Sequence, residues 1–271
     1  MEYLHRESSF SGGLIAAREV SGFQLLDGVY RSKTRLAKHS HEEAVLCIAL
    51  KGVCRELFSG QVREYEPLTV QFLPSNQCHS LDFPTDVRAF SVDVPTPWLK
   101  RAREYSLSLD TSVHRRGGLL SSLMIRLYKE FLQIDDASLL AMEGLTLEIL
   151  AEVSRRQIKL SGRTPPRWLS RAVDLLRAQF SERITITQVA AAVHVHPVHL
   201  AREFRRFHEC TIGEYIRRLR IERACLQLNC SDEPLAAIAI SAGFSDQSHF
   251  SRNFKRQTGM TPAQYRATFR D

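Results

Sequence analysis

No stretch of this 271-residue chain approaches the run of about 18 apolar residues that a membrane-spanning helix needs, so no membrane partner is expected. Its first residues, Met1-Glu2-Tyr3-Leu4-His5-Arg6-Glu7, are charged and lack the apolar core of a secretory signal, which points to a cytoplasmic protein. Six cysteines occur (Cys47, Cys54, Cys78, Cys210, Cys225, Cys230), never as a CxxC pair, and they read as reduced, mostly buried thiols. A nucleophile elbow, an HExxH helix, a Walker loop and a GxGxxG turn are all missing. An enzyme is therefore not expected.

Charge is present but unevenly placed. The chain carries 37 Lys+Arg against 30 Asp+Glu, a net charge of +7. Residues 1–162 hold 20 of each sign, whereas residues 163–271 hold 17 basic and 10 acidic side chains, so the whole excess lies in the C-terminal part. Such asymmetry is expected when one domain meets a polyanion and the other does not.

Residues 20–95 read as short strands. Ala44–Leu50 and Leu68–Leu73 are buried apolar runs, and Val87–Val94 alternates with period two up to Pro95. Short strands with frequent turn signals suggest a small β-barrel or sandwich. Two helices are predicted next. The first spans His114–Gln133, with Leu120, Leu123, Leu127 and Phe131 on one stripe. The second spans Ala137–Ile158, capped by Asp136, with Leu139, Met142, Thr146, Ile149 and Val153 on another. This hairpin either packs on the barrel or pairs with its copy in a second chain, and a homodimer is the expectation. The aperiodic segment 161–167, with Gly162, Pro165 and Pro166, reads as a linker. The fold class is thus α+β: a barrel over 1–110, a helical hairpin over 111–160 and an all-α domain over 168–271.

The most informative pattern is a repeat. Leu200-x-Arg202-x-Phe204-Arg205-Arg206 returns fifty residues later as Phe250-x-Arg252-x-Phe254-Lys255-Arg256, and Thr211 and Tyr215 return as Thr261 and Tyr265. Thr185–Gln188 and Thr211–Glu214 are capping boxes. Pro197 and Pro234 suit first-turn positions, and Ser245 is the expected cap of a further helix ended by Gly259. Each repeat is then a short helix, a tight turn and a basic helix, the helix-turn-helix pattern. Leu200 and Phe204, like Phe250 and Phe254, lie four apart and face the core, which turns Arg202 and Arg252 outward. An outward arginine on a second helix can fork onto guanine in the major groove. Arg205, Arg206, Lys255 and Arg256 suit phosphates, which hold register without reading sequence.

The run Gly243-Phe244-x5-Phe250-x-Arg252-x-Phe254-Lys255-x3-Gly259-x-Thr261-Pro262-x2-Tyr265-Arg266 closely resembles the C-terminal signature of AraC/XylS-type transcription regulators. The resemblance covers residues 168–271. It implies two helix-turn-helix units joined by a long helix over 212–228, binding double-stranded promoter DNA in adjacent major-groove segments. RNA polymerase is then a further expected partner and a small-molecule effector an expected ligand. Mapped onto this chain, the family's base-contact positions are Val198, Ala201 and Arg202 in the first unit and Gln247, Ser248, His249 and Arg252 in the second. His196 departs from the family, which usually places Ser, Thr or Asn there, and it reads as a tolerated poor cap. His194, His196 and His199 are not expected to bind metal.

The resemblance also implies a cupin-like sensing barrel at the N-terminus. His39-x-His41 puts two imidazoles on one strand face, and Pro74-x-Asn76-x2-His79 resembles the second cupin motif with Asn where glycine is usual. His39, His41 and His79 match the three histidines of metal cupins. The glutamate expected four or five residues beyond His41 falls on Val45 or Leu46, and Glu42 and Glu43 are out of register. The three histidines are accordingly expected to line an effector pocket, and no metal or other cofactor is expected. The alternative is a metal-binding cupin sensor or enzyme fused to a DNA-binding module. Cys47 and Cys78 offer a minor thiolate reading, with Cys47 better explained as a buried thiol.

Overall fold

The computed structural model describes residues 12–105, 107, 109–160, 165–208 and 210–269. The chain divides into two compact units, Met1–Ser161 and Gly162–Asp271.

Among the described residues, nine antiparallel strands open the first unit: β1 (Gly13–Val20), β2 (Phe23–Tyr30), β3 (Arg35–His39), β4 (Ala44–Lys51), β5 (Cys54–Phe58), β6 (Gln61–Tyr65), β7 (Thr69–Leu73), β8 (His79–Asp82) and β9 (Val87–Val94). A helix, α1 (Thr96–Glu104), and a tenth strand, β10 (Val113–Arg116), precede the hairpin of α2 (Leu119–Leu132) and α3 (Ser138–Leu160). One sheet runs β1-β2-β9-β4-β7-β10 and the other β3-β8-β5-β6. β7 and β9 are buried on nearly every residue; β7 accordingly reads as a continuous apolar run, whereas β9 alternates in sequence and buries Ser91 and Asp93 as well as its apolar side chains. β5 instead alternates buried and exposed.

His114–Arg116 is not helical: these residues pair with Thr69–Gln71 as an edge strand, and the helix starts only after Gly117 and Gly118, both at positive φ. Asp136 does not cap α3. The backbone N–H of Ala137 donates to Asp135 Oδ1, and Ser138 Oγ accepts from the Asp135 N–H. Leu139 lies exposed, whereas Met142, Thr146, Ile149 and Val153 are buried as predicted. α1 is a further helix beyond the sequence expectation, opening directly after Pro95.

The hairpin packs on the barrel. α2 buries Leu120, Leu123, Leu127, Tyr128 and Phe131, and the Phe90 ring of β9 lies 5.0 Å from Tyr128 and 5.1 Å from Phe131. Polar contacts fix its register: Ser121 Oγ donates to Leu68 O at 2.7 Å and Arg18 Nε to Phe131 O at 3.0 Å. Under α2, Asp27 of β2 is fully buried and receives Arg88 Nη2 and Tyr128 Oη, each at 2.9 Å.

The second unit holds seven helices among its described residues: α4 (Arg167–Gln179), α5 (Ile186–Ala192), α6 (Pro197–His208), α7 (Ile212–Cys230), α8 (Leu235–Ser241), α9 (Gln247–Thr258) and α10 (Pro262–Phe269). Of the expected linker, 161–164 lies outside the described residues, and Arg167 already opens α4. Thr185 and Thr211 both form complete capping boxes. The cap of α9 is Asp246 rather than Ser245: its carboxylate accepts from His249 N at 2.7 Å, and Ser245 Oγ donates to that carboxylate at 3.0 Å. Charge makes the aspartate the stronger acceptor.

The sequence repeat becomes a geometric repeat. Phe204 meets Tyr215 edge to face at 5.3 Å and 77°, and Phe254 meets Tyr265 at 5.3 Å and 81°. The turns match as well. Val195 N bonds Ala190 O at 3.0 Å, and Phe244 N bonds Ala239 O at 2.9 Å, so His194 and Gly243 occupy the same left-handed corner. Histidine tolerates that conformation better than most side chains. At Gly243 nothing larger fits, because an added Cβ would lie 2.5 Å from Ser181 O.

Candidate functional site

In each half of the second unit the scaffold helix is anchored by fully buried small or branched residues, Val189 and Ala190 in α5 and Ile238 and Ala239 in α8. The following helix buries Leu200 and Phe204 in α6, or Phe250 and Phe254 in α9. With those positions inward, 3.6-residue periodicity turns residues two further along outward. Val198, Ala201, Arg202, Arg205 and Arg206 are exposed on α6; Gln247, Ser248, Arg252, Lys255 and Arg256 are exposed on α9. Helix α9 therefore presents two uncharged polar groups and an arginine where α6 presents a valine, an alanine and an arginine.

Three details go beyond what the sequence showed. His249 is only half exposed: its ring stands edge-on to Phe244 at 5.5 Å and its Nδ1 lies 3.3 Å from Ser245 Oγ. It braces the turn as well as facing the helix surface. Glu203, nearly buried, lies 3.4 Å from Arg202 and 3.2 Å from Arg206, and so pre-positions two of the basic groups. His196 does act as a cap, because Val198 N donates to its Nδ1, at the long distance of 3.3 Å.

The two halves are tied by a seam after α4. Arg220 of α7 donates to Phe180 O at 2.7 Å and Glu182 O at 2.9 Å, with its guanidinium 5.9 Å from the Phe244 ring centroid. Ser181, between those carbonyls, is the residue against which Gly243 packs.

In the first unit, the three histidines converge. β3 delivers His39, the residues after it His41, and β8 His79, cross-strand from His39. Asn76 sits at φ +60 with its N–H on His41 O at 2.7 Å, the left-handed corner that Asn can adopt in place of glycine. His79 Nε2 lies 3.1 Å from both His41 Nε2 and His39 Nε2. All three ligand atoms fall within 4.8 Å of one another, a spacing suited to a metal ion.

The acidic partner comes from β5, not β4. Glu56 is fully buried, and its carboxylate accepts from His79 Nδ1 at 2.6 Å, Gln71 Nε2 at 2.7 Å and the Tyr65 hydroxyl. Burial pushes its pKa up, but the hydrogen bonds from His79, Tyr65 and Gln71 outweigh this and hold it below the usual carboxylate range. A signal for it existed: Cys54, Glu56 and Phe58 share a period-two face, and that face is the buried one.

Beside this cluster is a cavity of about 90 Å³, lined by Tyr30, Cys47, Gln71, Phe83 and Ser91 among others. That is room for a few waters or a small anion, well below the roughly 300–1,000 Å³ of a drug-sized ligand site. Burial, with Asp93 and Glu56 nearby, pushes the Cys47 thiol up to about 12, which removes the thiolate reading there. Cys78 is exposed, whereas Cys54, Cys210 and Cys225 are buried and Cys47 is half-buried, in keeping with mostly buried thiols.

Burial, then the His79 and His39 imidazoles, hold His41 down at about 4 against an ordinary 6.5. Between those values the unfolded chain binds more protons than the folded one, so stability falls as pH drops through that window and levels off below it. Urea unfolding in chelator at about pH 7 and about pH 4.5 should show this loss, and His41→Gln should flatten it. Identical pH dependence in wild type and variant would contradict the assignment.

A helix-turn-helix domain model matches residues 189–268, and an AraC-like ligand-binding domain model matches residues 27–184, more than half of the chain. The probable transcription factor PqrA of Proteus vulgaris is 39% identical over 88 residues, covering 32% of this chain and 72% of that protein. The bifunctional transcriptional activator/DNA repair enzyme AdaA of Bacillus subtilis is 30% identical over 99 residues, covering 36% of this chain. The chain matches only 47% of the length of AdaA. Among solved structures, the C-terminal domain of the response regulator AraT from Geobacillus stearothermophilus is 28% identical over 40% of this chain and 91% of that one, with a TM-score of 0.39. Among the described residues no helix is long and apolar enough to cross a membrane. With a ligand-binding domain model on its N-terminal unit and paired helix-turn-helix repeats on its C-terminal one, the chain belongs to the AraC/XylS family of transcription regulators.

Proposed function

We propose that this chain is a sequence-specific, non-enzymatic DNA-binding regulator that couples the state of its N-terminal barrel to promoter binding by α6 and α9. The observation that carries this reading is the exposed arginine at the same turn of both second helices, Arg202 and Arg252, backed by the basic positions Arg205, Arg206, Lys255 and Arg256. The proposed base-reading set is Val198, Ala201, Arg202, Gln247, Ser248, His249 and Arg252. Among Val198, Ala201 and Arg202 only Arg202 can make a bidentate base contact, whereas α9 presents Gln247, which suits adenine, beside Arg252. Sequence readout is therefore unequal between the halves.

The hairpin, proposed as residues 111–160, leaves Leu119, Leu132, Ile134, Leu139 and Leu140 exposed although α2 packs on the barrel. Such residues support pairing with a second copy. RNA polymerase is the proposed protein partner at the promoter.

Arg202→Ala should weaken operator binding about 5- to 150-fold, about 1–3 kcal/mol, and relax discrimination at one base. Lys255→Ala should weaken all sequences alike and shallow the salt dependence by about one ion. Both are read by titrating operator and scrambled duplexes across a salt series. An Arg202→Ala chain with unaltered sequence preference would sink the assignment.

A further inference from the structure

The contacts among His39, His41 and His79 cannot all be hydrogen bonds of neutral rings. His39 Nδ1 lies 2.7 Å from Ala37 O, a carbonyl that only accepts, so Nδ1 carries the proton and Nε2 a lone pair. His79 Nδ1 lies 2.6 Å from Glu56 Oε1, an oxygen that also accepts from Gln71, so His79 likewise presents a lone pair at Nε2. Those two Nε2 atoms face each other at 3.1 Å, with His41 Nε2 also 3.1 Å from that of His79. A proton on His79 Nε2 would serve one neighbour well at a time. An ion between the rings takes all three lone pairs at once.

The spacing fits such an ion. Tetrahedral zinc with Zn–N distances of about 2.0–2.1 Å sets neighbouring nitrogens about 3.3 Å apart. Two of the three separations are already near this, and the third falls within 4.8 Å. Glu56 behind His79 supplies the carboxylate–imidazole support that orients metal-bound histidines. The adjacent cavity holds a small exogenous ligand, and Ser91 Oγ, which belongs to a cavity-lining residue, is a buried hydroxyl with no hydrogen-bond partner.

We infer that His39, His41 and His79 form a three-imidazole site for a divalent transition metal of the zinc class, with Glu56 as the positioning residue and the fourth coordination position open to the cavity. The donor set of neutral nitrogens selects zinc, cobalt or nickel over magnesium or calcium. This inference stands independently of DNA binding: a chain that binds operator but no metal refutes it alone.

The test uses the full chain, stripped with chelator and titrated with Zn²⁺, then with Co²⁺ as a spectroscopic probe. One equivalent should bind per chain, Co²⁺ should give the visible absorption of a four-coordinate site, and Zn²⁺ should raise the thermal midpoint. His39→Ala, at a half-exposed position, should abolish the Co²⁺ spectrum without unfolding the barrel. Glu56→Gln should weaken binding about 10- to 100-fold, and Cys78→Ser should leave it unchanged. His79→Ala is read only where circular dichroism shows it folded. Absence of a saturable equivalent, or an unaltered Co²⁺ spectrum in His39→Ala, overturns the inference. Binding that disappears with His196→Ala instead places the metal in the C-terminal unit and overturns it equally.

Discussion

Asp27→Ala should lower the unfolding free energy of the N-terminal unit by about 3–5 kcal/mol, the range for removing one partner of a buried ion pair. Asp27 is fully buried, and its carboxylate takes Arg88 through both oxygens, at 3.2 and 2.9 Å, and the Tyr128 hydroxyl at 2.9 Å. Burial and that same carboxylate push the Tyr128 pKa up, so the phenol stays a donor. Three elements meet in the cluster: β2 brings the acid, β9 the guanidinium and α2 the phenol. Losing the acid leaves a largely desolvated positive charge beneath the hairpin. The two tryptophans, Trp98 and Trp168, fall one in each unit. Trp168→Phe therefore isolates the fluorescence of the first unit during urea unfolding. Asp27→Asn should cost less, because the amide oxygen still accepts from Tyr128. Pairing Asp27→Leu with Arg88→Met should recover much of the loss. A change below about 1 kcal/mol in Asp27→Ala, the range of exposed pairs, would refute the clamp.

Gly243→Ala should destabilise the C-terminal unit by about 2–5 kcal/mol. Two effects add: a left-handed backbone at φ +89 costs a Cβ about 1–2 kcal/mol, and overpacking costs about 1–3 kcal/mol. The added methyl would lie 2.5 Å from Ser181 O and 2.8 Å from its Cα. Ser181 cannot yield, because Arg220 holds the carbonyls on both sides of it. Gly144→Ala is the contrast: it lies inside α3 with nothing within 4 Å of the added carbon, and should stabilise by about 0.5–1 kcal/mol. Trp98→Phe makes Trp168 the reporter for the second unit. If Gly243→Ala unfolds within about 0.5 kcal/mol of wild type, the seam is not close-packed in solution. The same variant should lose affinity for a two-half operator by a larger factor than for a single half-site, since the seam fixes the two recognition helices relative to each other.

The C-terminal unit was legible because its signals are local. Capping boxes at Thr185 and Thr211, the four-residue spacing of Leu200 and Phe204, and Gly259 in its left-handed corner each depend on neighbours within one turn. The barrel was legible as a set of strands but not as a site. Pro95 and Pro97 obscured α1, whose fixed first turn they in fact suit. His114, Arg115 and Arg116 suggested a polar helix start because an edge strand pairs on one side only and tolerates such residues. Glu56 was missed because its partners, His79 and Gln71, lie 23 and 15 residues away on other strands. Only the sheet order brings them together.

The scaffold helices repeat at an offset of 49 residues, Val189 to Ile238, and the recognition helices at 50, Leu200 to Phe250. The extra residue lies between the left-handed corner and the helix cap, with His194 two positions before His196 and Gly243 three before Asp246. Both helices keep their inward phase, so the insertion was absorbed by the loop alone. For protein engineering this marks a graft boundary. Exchanging segments that begin at Pro197 and Gln247 would preserve the hydrophobic seating of each reading head, whereas cutting at the corners would import a loop of the wrong length. The two reading heads are thus cartridges of one calibre in mounts of different depth.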